Sequence, residues 1–478
     1  MTAPRLTRDT AGLGAAPKAG IVHLGLGAFF RAHGAIYIEE AMALSGGDWG
    51  ITGVSLKSPT QRDRLAPQGG AYTAVELGPE GETARPVGIV GEVLVAPEDP
   101  GAVLAAMAGA ELVTLTVTEK GYCHVPATGR LNREHPDIRR DLEQPEAPAS
   151  AIGYLVRALA ARRAEGRAPF TVLSCDNIPE NGRLLRGLVL ELAEMVEPGL
   201  AEWIAAEGAF PSSMVDRIVP ATTEDDIAKV EELTGRHDAA PVMHEPFRQW
   251  VVEESFVGPR PDLGAVGVEL VEDVTPFEHM KLRCLNGTHS ALAYLGYLAG
   301  AETIADTVAR QPLAAYVRHL WAEEILPVLT APPGTSLEDY AEALFARYAN
   351  PAIRHRTWQI AMDGSQKLPQ RILGTVAETL AAGREPKGLY LAIAAWMAYT
   401  SGRDLSGAPI DVRDPLAERL AACWPGEPAE VVARYLALED VFAEGTDRAA
   451  LQAGLTEALT MLLAEGPEGA ARAVVARG

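Results

Sequence analysis

The chain has 478 residues, 47% of them hydrophobic and 22% charged, and this composition is typical of a globular protein with more than one hydrophobic core. Its formal net charge of −22 disfavours binding to nucleic acid or to anionic lipid, so we expect a small-molecule substrate. The chain lacks both a run of roughly 18 apolar residues and an apolar signal sequence. Its four cysteines lack disulfide or zinc-site spacing, so we predict free thiols, no bound metal and a cytoplasmic location.

Short apolar runs typical of β-strands alternate with helical stretches through the first half of the chain. The runs are IVHLGLG (21–27), WGITGVSL (49–56), ELVTLTVTE (111–119) and FTVLSC (170–175). Helical periodicity at 151–166 and 184–196 completes βα units, which predict a doubly wound parallel sheet. Ala- and Leu-rich helical patterns continue after about Pro276. We therefore predict an α/β domain at 1–275 and a mostly α-helical domain at 276–478.

The first predicted strand runs into a glycine-rich turn, IVHLGLGAFFRAHG (21–34). Gly25 and Gly27 would let the backbone approach a pyrophosphate, which the N–H groups of the following helix can bind. Ala28 and Phe29 open that helix, and Arg31 is a candidate phosphate ligand. The alternative interpretation is a tight turn that needs small residues, because Phe30 stands where the fingerprint has its third glycine.

Cofactor preference depends on the residues after the second predicted strand, SLKSPTQRDR (55–64). NAD enzymes usually offer an acid to the ribose hydroxyls at this point. Lys57 stands there instead, and Asp63 comes late. We favour NAD, and NADP is not excluded.

The stretch MKLRCLNGTHS (280–290) places three polar groups in largely apolar surroundings. On an α-helix, Lys281, Asn286 and His289 fall within an arc of roughly 140° that also contains leucines. Burial lowers the pKa of a lysine toward the range of a general base, and the other two groups suit hydrogen bonding to an alkoxide-like oxygen. The alternative is a lysine that reaches solvent beside an ordinary core histidine.

Seven stretches of the chain form a set of motifs: HLGLGAFFRAH (23–33), TLTVTEKGYC (114–123), SCDNIPENG (174–182), MVDRIVP (214–220), EPFRQWV (245–251), MKLRCLNGTHS (280–290) and DGSQKLPQR (363–371). Together they resemble the polyol-specific long-chain dehydrogenases/reductases, the mannitol dehydrogenase family. The resemblance covers nearly the whole chain. It implies a Rossmann-like domain followed by a helical domain, and metal-independent hydride transfer between a nicotinamide cofactor and a secondary alcohol.

The resemblance also implies roles for individual residues. Lys281 matches the family's general base, Asn286 and Asn177 match the pair that holds the reacting oxygen, and His289 matches a substrate contact. The remaining matches are Glu278, on a proton path to solvent, and Asp216 and Glu119, as substrate contacts. Each of these three carboxylates has a structural alternative. The family usually has a histidine where this chain has Phe30.

The segment 350–371 bears on the substrate because it is rich in cations. They are Arg354, His355, Arg356, Lys367 and Arg371. The segment resembles the fructuronate reductase branch, with Gln359 where mannitol dehydrogenases have a substrate-binding arginine. A local cation such as Lys367 or Arg354 would hold a sugar carboxylate against the unfavourable net charge.

We therefore predict NAD-linked interconversion of D-fructuronate and D-mannonate. The alternatives are a neutral polyol dehydrogenase acting on mannitol or arabinitol and, from another class, a nicotinamide-binding sensor without catalysis. The sequence does not predict the oligomeric state.

Overall fold

The computed structural model describes residues 3–126, 128–443 and 447–477. Its backbone contacts divide the chain into two compact units, Met1–Thr275 and Pro276–Gly478. We refer to them as unit 1 and unit 2 and describe each by itself.

Unit 1 is built around a parallel sheet. Its strands are β1 (Ala19–Leu24), β2 (Gly50–Ser55), β3 (Tyr72–Gly78), β4 (Gly81–Val87), β5 (Val90–Val95), β6 (Leu112–Leu115), β7 (His124–Val125), β8 (Arg130–Leu131), β9 (Thr171–Ser174), β10 (Ser213–Asp216), β11 (Val242–His244), β12 (Gln249–Glu253) and β13 (Glu269–Val271). The main sheet has the order β5-β2-β1-β6-β9 with every neighbouring pair parallel. This is a Rossmann-type arrangement, which reverses strand order beside β1. The predicted α/β fold is confirmed.

Helices pack around the sheets of unit 1. They are α1 (Ala28–Ala32), α2 (Gly34–Ser45), α3 (Thr60–Leu65), α4 (Pro100–Gly109), α5 (Thr118–Gly121), α6 (Pro136–Glu143), α7 (Ala151–Ala164), α8 (Asn181–Val196), α9 (Pro198–Glu207) and α10 (Glu224–Thr234), with 3₁₀ turns at Ala66–Gln68 and Gly264–Val266. Successive strand residues point to opposite faces, so Ile21 and Val22 of β1 belong to two different hydrophobic cores. A parallel sheet buried on both faces explains why its strands are continuous apolar runs.

Smaller sheets complete unit 1. β10, β12 and β13 form one three-stranded sheet, β11, β3 and β4 form another, and β7 pairs with β8. The predicted strand 111–119 is too long: β6 ends at Leu115, and α5 begins at Thr118. Thr118 has φ +64°, a left-handed conformation that no strand continues through.

Unit 2 is helical, as predicted. Its helices are α11 (Thr275–Met280), α12 (Thr288–Leu298), α13 (Ile304–Val308), α14 (Gln311–His319), α15 (Leu337–Tyr348), α16 (Thr357–Ile360), α17 (Gly364–Leu368), α18 (Gly374–Ala381), α19 (Lys387–Tyr399), α20 (Ala417–Ala421), α21 (Pro428–Leu436) and α22 (Arg448–Arg477), with a 3₁₀ turn at Leu326–Val328. α22 consists of two helical parts that meet at a kink at Gly466. Three segments are π-helical: π1 (Lys281–Gly287), π2 (Leu320–Ile325) and π3 (Pro369–Leu373).

The core of unit 2 forms around α19, whose residues are buried without interruption from Gly388 to Tyr399. A helix that is apolar all round is stable only when other helices enclose it, and α12 and α22 both pack against α19. Within the described ranges, no helix combines the length and the apolar character that crossing a bilayer requires.

Candidate active site

The glycine-rich turn after β1 leaves backbone accessible at the carboxyl edge of the main sheet. Gly25 has φ +90°, and a Cβ there would lie 2.1 Å from the Thr116 carbonyl oxygen. Gly27 precedes α1 in an extended conformation, and within 4 Å a Cβ there would meet only the Gly25 oxygen, at 3.7 Å. Gly27 has no side chain to cap α1, so no capping side chain occupies the N–H groups of its first turn. This backbone suits a pyrophosphate, and Ala28 and Phe29 are half-buried beside it.

A buried histidine is hydrogen-bonded to a residue that contacts this turn. His23 contacts the hydroxyls of Thr114 at 2.7 Å and Thr116 at 2.9 Å, and Thr116 Oγ1 donates to the Gly25 carbonyl over 2.8 Å. Burial lowers the pKa of His23 to about 3, so the ring is neutral. Phe30 stacks on it with 3.4 Å between ring centroids, and therefore belongs to the core.

Arg31 is the predicted cofactor ligand that the structure does not support. Its guanidinium is buried, donates to the Ala240 carbonyl and lies 5.2 Å over the Tyr72 ring. The Tyr72 hydroxyl in turn donates to the Arg31 carbonyl over 2.6 Å. Because these contacts hold the side chain in the interior of unit 1, we withdraw Arg31 from the proposed phosphate contacts.

A buried carboxylate organises the turns after β6 and β9. Asp176 accepts hydrogen bonds of 2.9 Å from the N–H groups of Val117 and Thr118 and from the Tyr122 hydroxyl. Burial raises the pKa of Asp176, and these three donors act in the opposite direction. The bonds join the end of β9 to the left-handed turn at Thr118.

The predicted polar residues of unit 1 occupy strand ends. Asn177 follows Asp176 and is exposed, and Glu119 is exposed on α5. Their turns follow β9 and β6, and β6 neighbours β1, so both share the carboxyl edge with Gly25. Asp216 ends β10 in the second sheet and is 3% exposed. The structure thus gathers two of the three at the edge where Rossmann-type sheets bind ligands.

The predicted polar trio, Lys281, Asn286 and His289, begins on a π-helical segment rather than on the α-helix that the sequence predicted. Lys281 and Asn286 are at the two ends of π1, and His289 follows on α12. An α-helix would separate two residues five positions apart by about 140°, whereas a π-helix bonds residue i to i+5 and brings them to nearly the same face. Lys281 is 6% exposed, His289 7% exposed, and Asn286 half-buried. The predicted 140° arc is therefore too wide.

Side chains from three other elements bind the carbonyl groups of π1. Trp321 Nε1 of π2 donates to the Cys284 oxygen and the Tyr348 hydroxyl of α15 to the Leu285 oxygen, both over 2.9 Å. Arg371 of π3 reaches the Asn286 oxygen at 3.5 Å and Ser290 Oγ at 3.1 Å. Tyr348 and Trp321 were missed by the sequence analysis, since helical periodicity marks both only as core residues.

His289 lies in an aromatic and cationic environment. Its ring stacks on Tyr348 at 5.3 Å between centroids and meets the edge of His355 at 4.7 Å. Burial, and then the neighbouring His355 ring and the positive charges of Arg371, Arg347 and Lys367, hold the pKa of His289 well below its usual value. Its Nε2 is buried and has no hydrogen-bond partner among the described residues. A neutral imidazole with a free nitrogen is suited to bind a substrate oxygen.

Lys367 extends this environment. Its ammonium donates to the backbone oxygens of Met362, over 2.6 Å, and Ile360, over 3.3 Å. An ammonium has three N–H donors, so one remains for a further hydrogen bond. Burial, and then the charge of Arg371, lower the pKa of Lys367 to about 8. We name Lys367, Arg371 and Arg347, whose charges all lower the pKa of His289, the cation cluster. Burial lowers the pKa of neighbouring His355 to about 4, so that ring is neutral near pH 7.

Two other predicted residues of unit 2 lie outside the cation cluster. Arg354 is exposed, and nearby Arg356 pairs with Glu302 instead. The role of Arg354 as a substrate contact stays a prediction. Glu278 is half-buried on α11, three residues before Lys281, and its place on a proton path stays a prediction.

The described residues contain one group of three potential metal ligands, Cys123, His135 and Asp137, whose ligand atoms lie within 4.8 Å of one another. The His135 Nδ1 already accepts a hydrogen bond from the Asp137 N–H. Burial raises the pKa of Cys123 to about 12, which disfavours the thiolate. We assign no metal to this group.

Known proteins share both units of this structure. Residues 19–265 match the mannitol dehydrogenase Rossmann domain, and residues 273–463 match the mannitol dehydrogenase C-terminal domain. The D-mannonate oxidoreductase of Escherichia coli is 47% identical over 89% of each chain. The mannitol 2-dehydrogenase of Phaeosphaeria nodorum is 40% identical over 85% of this chain and 73% of its own.

A solved structure is also similar, that of Pseudomonas fluorescens mannitol 2-dehydrogenase in a ternary complex with NAD and D-mannitol. It has a TM-score of 0.89 and 34% identity, and the match covers 99% of this chain and 100% of that one. The chain therefore belongs to the mannitol dehydrogenase family.

Proposed function

We propose that this enzyme interconverts D-mannonate and D-fructuronate with NAD as the hydride carrier. It is an NAD-linked dehydrogenase that acts on a secondary alcohol. The observation that carries the choice of a sugar acid is the cation cluster around His289. An anionic substrate needs such a local positive group in a protein with a net charge of −22. The mannonate-specific name of the E. coli relative supports the same choice.

The turn after β1 fits the cofactor. Gly25 and Gly27 would bring backbone close to the pyrophosphate, with Ala28 and Phe29 beside it. When bound there, NAD supplies the acceptor for the hydride that leaves the carbon bearing the hydroxyl. The four cysteines are free and buried, which fits the proposed reducing, cytoplasmic location.

Lys281 is the proposed proton acceptor in oxidation. The substrate O–H bond breaks, the proton moves to the Lys281 amine, and the C–H electron pair leaves as hydride so that a carbonyl forms. In reduction the same ammonium returns the proton to the developing alkoxide. Lys281 is almost wholly buried, so little water competes with its amine for the substrate hydroxyl.

Asn286 and His289 hold the reacting oxygen in this proposal. The π turn places Asn286 near the same face as Lys281, and an amide N–H can donate to an oxygen that gains negative charge. His289 is neutral, so its ring binds the oxygen without competing for the proton that Lys281 transfers. Asn177, Asp216 and Glu119 stay proposals for further substrate contacts.

Lys367 is the proposed ligand of the substrate carboxylate, through its remaining N–H donor. We expect Lys367→Met to lower kcat/KM for mannonate by about 30-fold, because a charge-assisted hydrogen bond contributes roughly 2 kcal/mol. For mannitol, kcat/KM should change by less than about threefold. Steady-state NADH formation with both substrates measures this, and Lys387→Met on α19 is the control.

The same panel tests the neutral polyol alternative, which the Phaeosphaeria nodorum and Pseudomonas fluorescens relatives favour. Parent enzyme that oxidises mannitol as well as mannonate, or better, overturns the sugar-acid proposal. Equal losses for both substrates in Lys367→Met would instead show that Lys367 supports the backbone at Ile360 and Met362 rather than a carboxylate.

The pKa of Lys367 predicts a pH dependence. In the free enzyme this side chain is charged below a pH of about 8 and neutral above it. The ratio of kcat/KM for mannonate to kcat/KM for mannitol should therefore fall as the pH rises through about 8. Groups that both substrates need affect the two kcat/KM values equally as they titrate, so their effect cancels in the ratio. In Lys367→Met the ratio should be flat, and a parent ratio that is also flat contradicts the assignment.

A further inference from the structure

The π turn of π1 changes which backbone groups need partners. Inserting an i→i+5 turn between two α-helices interrupts the i→i+4 ladder, and the carbonyls it releases must find other donors when they are buried. Cys284 and Leu285 are both buried, and their oxygens accept hydrogen bonds from Trp321 Nε1 and the Tyr348 hydroxyl. Thr288 is a second donor to both, through its hydroxyl to the Cys284 oxygen over 2.6 Å and through its backbone N–H to the Leu285 oxygen. The two aromatic donors come from different helices, at positions 37 and 63 residues away in sequence.

The two donors also belong to one aromatic stack. The Trp321 and Tyr348 rings lie 6.1 Å apart with 19° between their planes, and Tyr348 stacks on His289 at 5.3 Å and 23°. All three rings are buried. The Tyr348 hydroxyl also meets Thr288 Oγ1, at 2.9 Å, just after π1. Tyr348 therefore contacts both the π turn and the histidine that follows it.

We propose that Trp321 and Tyr348 are positioning residues that hold π1 in its π turn and so keep Lys281 beside Asn286 for proton transfer. The inference rests on the proposed function, because it assigns the proton to Lys281. The two donors bind carbonyls that lie between Lys281 and Asn286 along the segment. Without them, the turn has less to oppose a return to the α register, which would separate the two side chains by about 140°.

The test removes one donor at a time and keeps each ring position aromatic, with Tyr348→Phe and Trp321→Phe. The matched control is Tyr316→Phe, because Tyr316 is a fully buried tyrosine of the same unit whose hydroxyl donates to the Gly388 carbonyl over 2.8 Å. All three variants lose one buried hydrogen bond to a backbone oxygen, and Tyr348→Phe also loses the contact with Thr288 Oγ1. Only the first two lose the backbone bond at π1.

We expect Tyr348→Phe and Trp321→Phe to lower kcat by about tenfold or more while KM changes by less than about threefold. The solvent deuterium isotope effect on single-turnover NADH formation should rise in both, since the misplaced amine slows proton transfer. Tyr316→Phe should keep the parent kcat and isotope effect. A stability change alone would move none of these readouts at saturating substrate in folded enzyme.

Amide hydrogen exchange of the peptide that covers 281–287 gives a readout that needs no substrate. Both variants should exchange faster there than the parent, and Tyr316→Phe should not. Parent-like exchange and parent-like kcat in the two variants overturn the proposal, and so do kcat losses that Tyr316→Phe shares. Should the parent oxidise neither mannonate nor mannitol, the proposed function fails, while the exchange data still decide whether the two residues hold the turn.

Discussion

Lys281→Ala is expected to lower the rate of hydride transfer by about 10²–10⁴-fold, the range that general acid–base catalysis contributes. The side chain is 6% exposed at the start of π1, so bulk water does not readily replace it as the proton acceptor. Single-turnover NADH formation with saturating mannonate measures the effect, since product release does not enter that rate. NAD binding should stay within about threefold of the parent, because the removed amine acts on the substrate hydroxyl.

The control for this prediction is Lys387→Ala, which removes a lysine from the same unit at the start of α19, where the ammonium lies 3.6 Å from Glu385. It should react at the parent rate. A Lys281→Ala variant that also reacts at the parent rate contradicts the assignment of Lys281 as the proton acceptor.

Gly25→Ala is expected to lower the stability of the fold, whereas Gly27→Ala is expected to weaken NAD binding without lowering stability. At Gly25 the new Cβ would lie 2.1 Å from the backbone oxygen of Thr116, in the turn after β6, at a φ of +90° that alanine rarely adopts. The clash and the strain together should lower the free energy of unfolding by about 3 kcal/mol or more. Urea unfolding followed by circular dichroism measures this.

At Gly27 the new methyl group meets only the Gly25 oxygen, at 3.7 Å, and the backbone has φ −87°. The free energy of unfolding should therefore stay within about 0.5 kcal/mol of the parent. The methyl group would occupy the space proposed for the pyrophosphate, so the Kd for NAD should rise by about tenfold or more. Calorimetric titration measures the Kd. Parent-like NAD binding by Gly27→Ala would reject this turn as the pyrophosphate site.

The fold was predictable because its main signals are local. Buried parallel strands appear as apolar runs such as 21–27 and 170–175, and the helices of unit 2 show their own periodicity. The grouping of Lys281, Asn286 and His289 on one segment was predictable for the same reason. The glycines of the turn after β1 were also recognisable, since a left-handed or closely packed backbone restricts the residue type.

The π turn was not predictable from the sequence. Over seven residues, an i→i+5 turn and an α turn place apolar side chains almost alike, so periodicity does not separate them. The donors that we propose to stabilise the π turn bind its carbonyls from distant positions, with Trp321, Tyr348 and Arg371 lying 37, 63 and 85 residues away. Those pairings depend on how the helices of unit 2 pack.

The burial of Arg31 was not predictable for the same reason, because it depends on a contact with a residue far away in the sequence. Its position after a glycine-rich turn indicates a phosphate ligand, but its guanidinium binds a carbonyl 209 residues further along the chain. Lys367 shows the opposite case, since the cation-rich segment 350–371 does bring Lys367, His355 and Arg371 together around His289. Burial, which the sequence does not give, separates these three from exposed Arg354.

Chemical rescue of Lys281→Ala tests the central claim most directly, that a buried amine at this position transfers the proton. Added methylamine should restore single-turnover hydride transfer in proportion to its free-base concentration, and it should leave the parent and Lys387→Ala unchanged. Hydride transfer in Lys281→Ala that stays slow at every methylamine concentration, while NAD and mannonate still bind, would contradict the account.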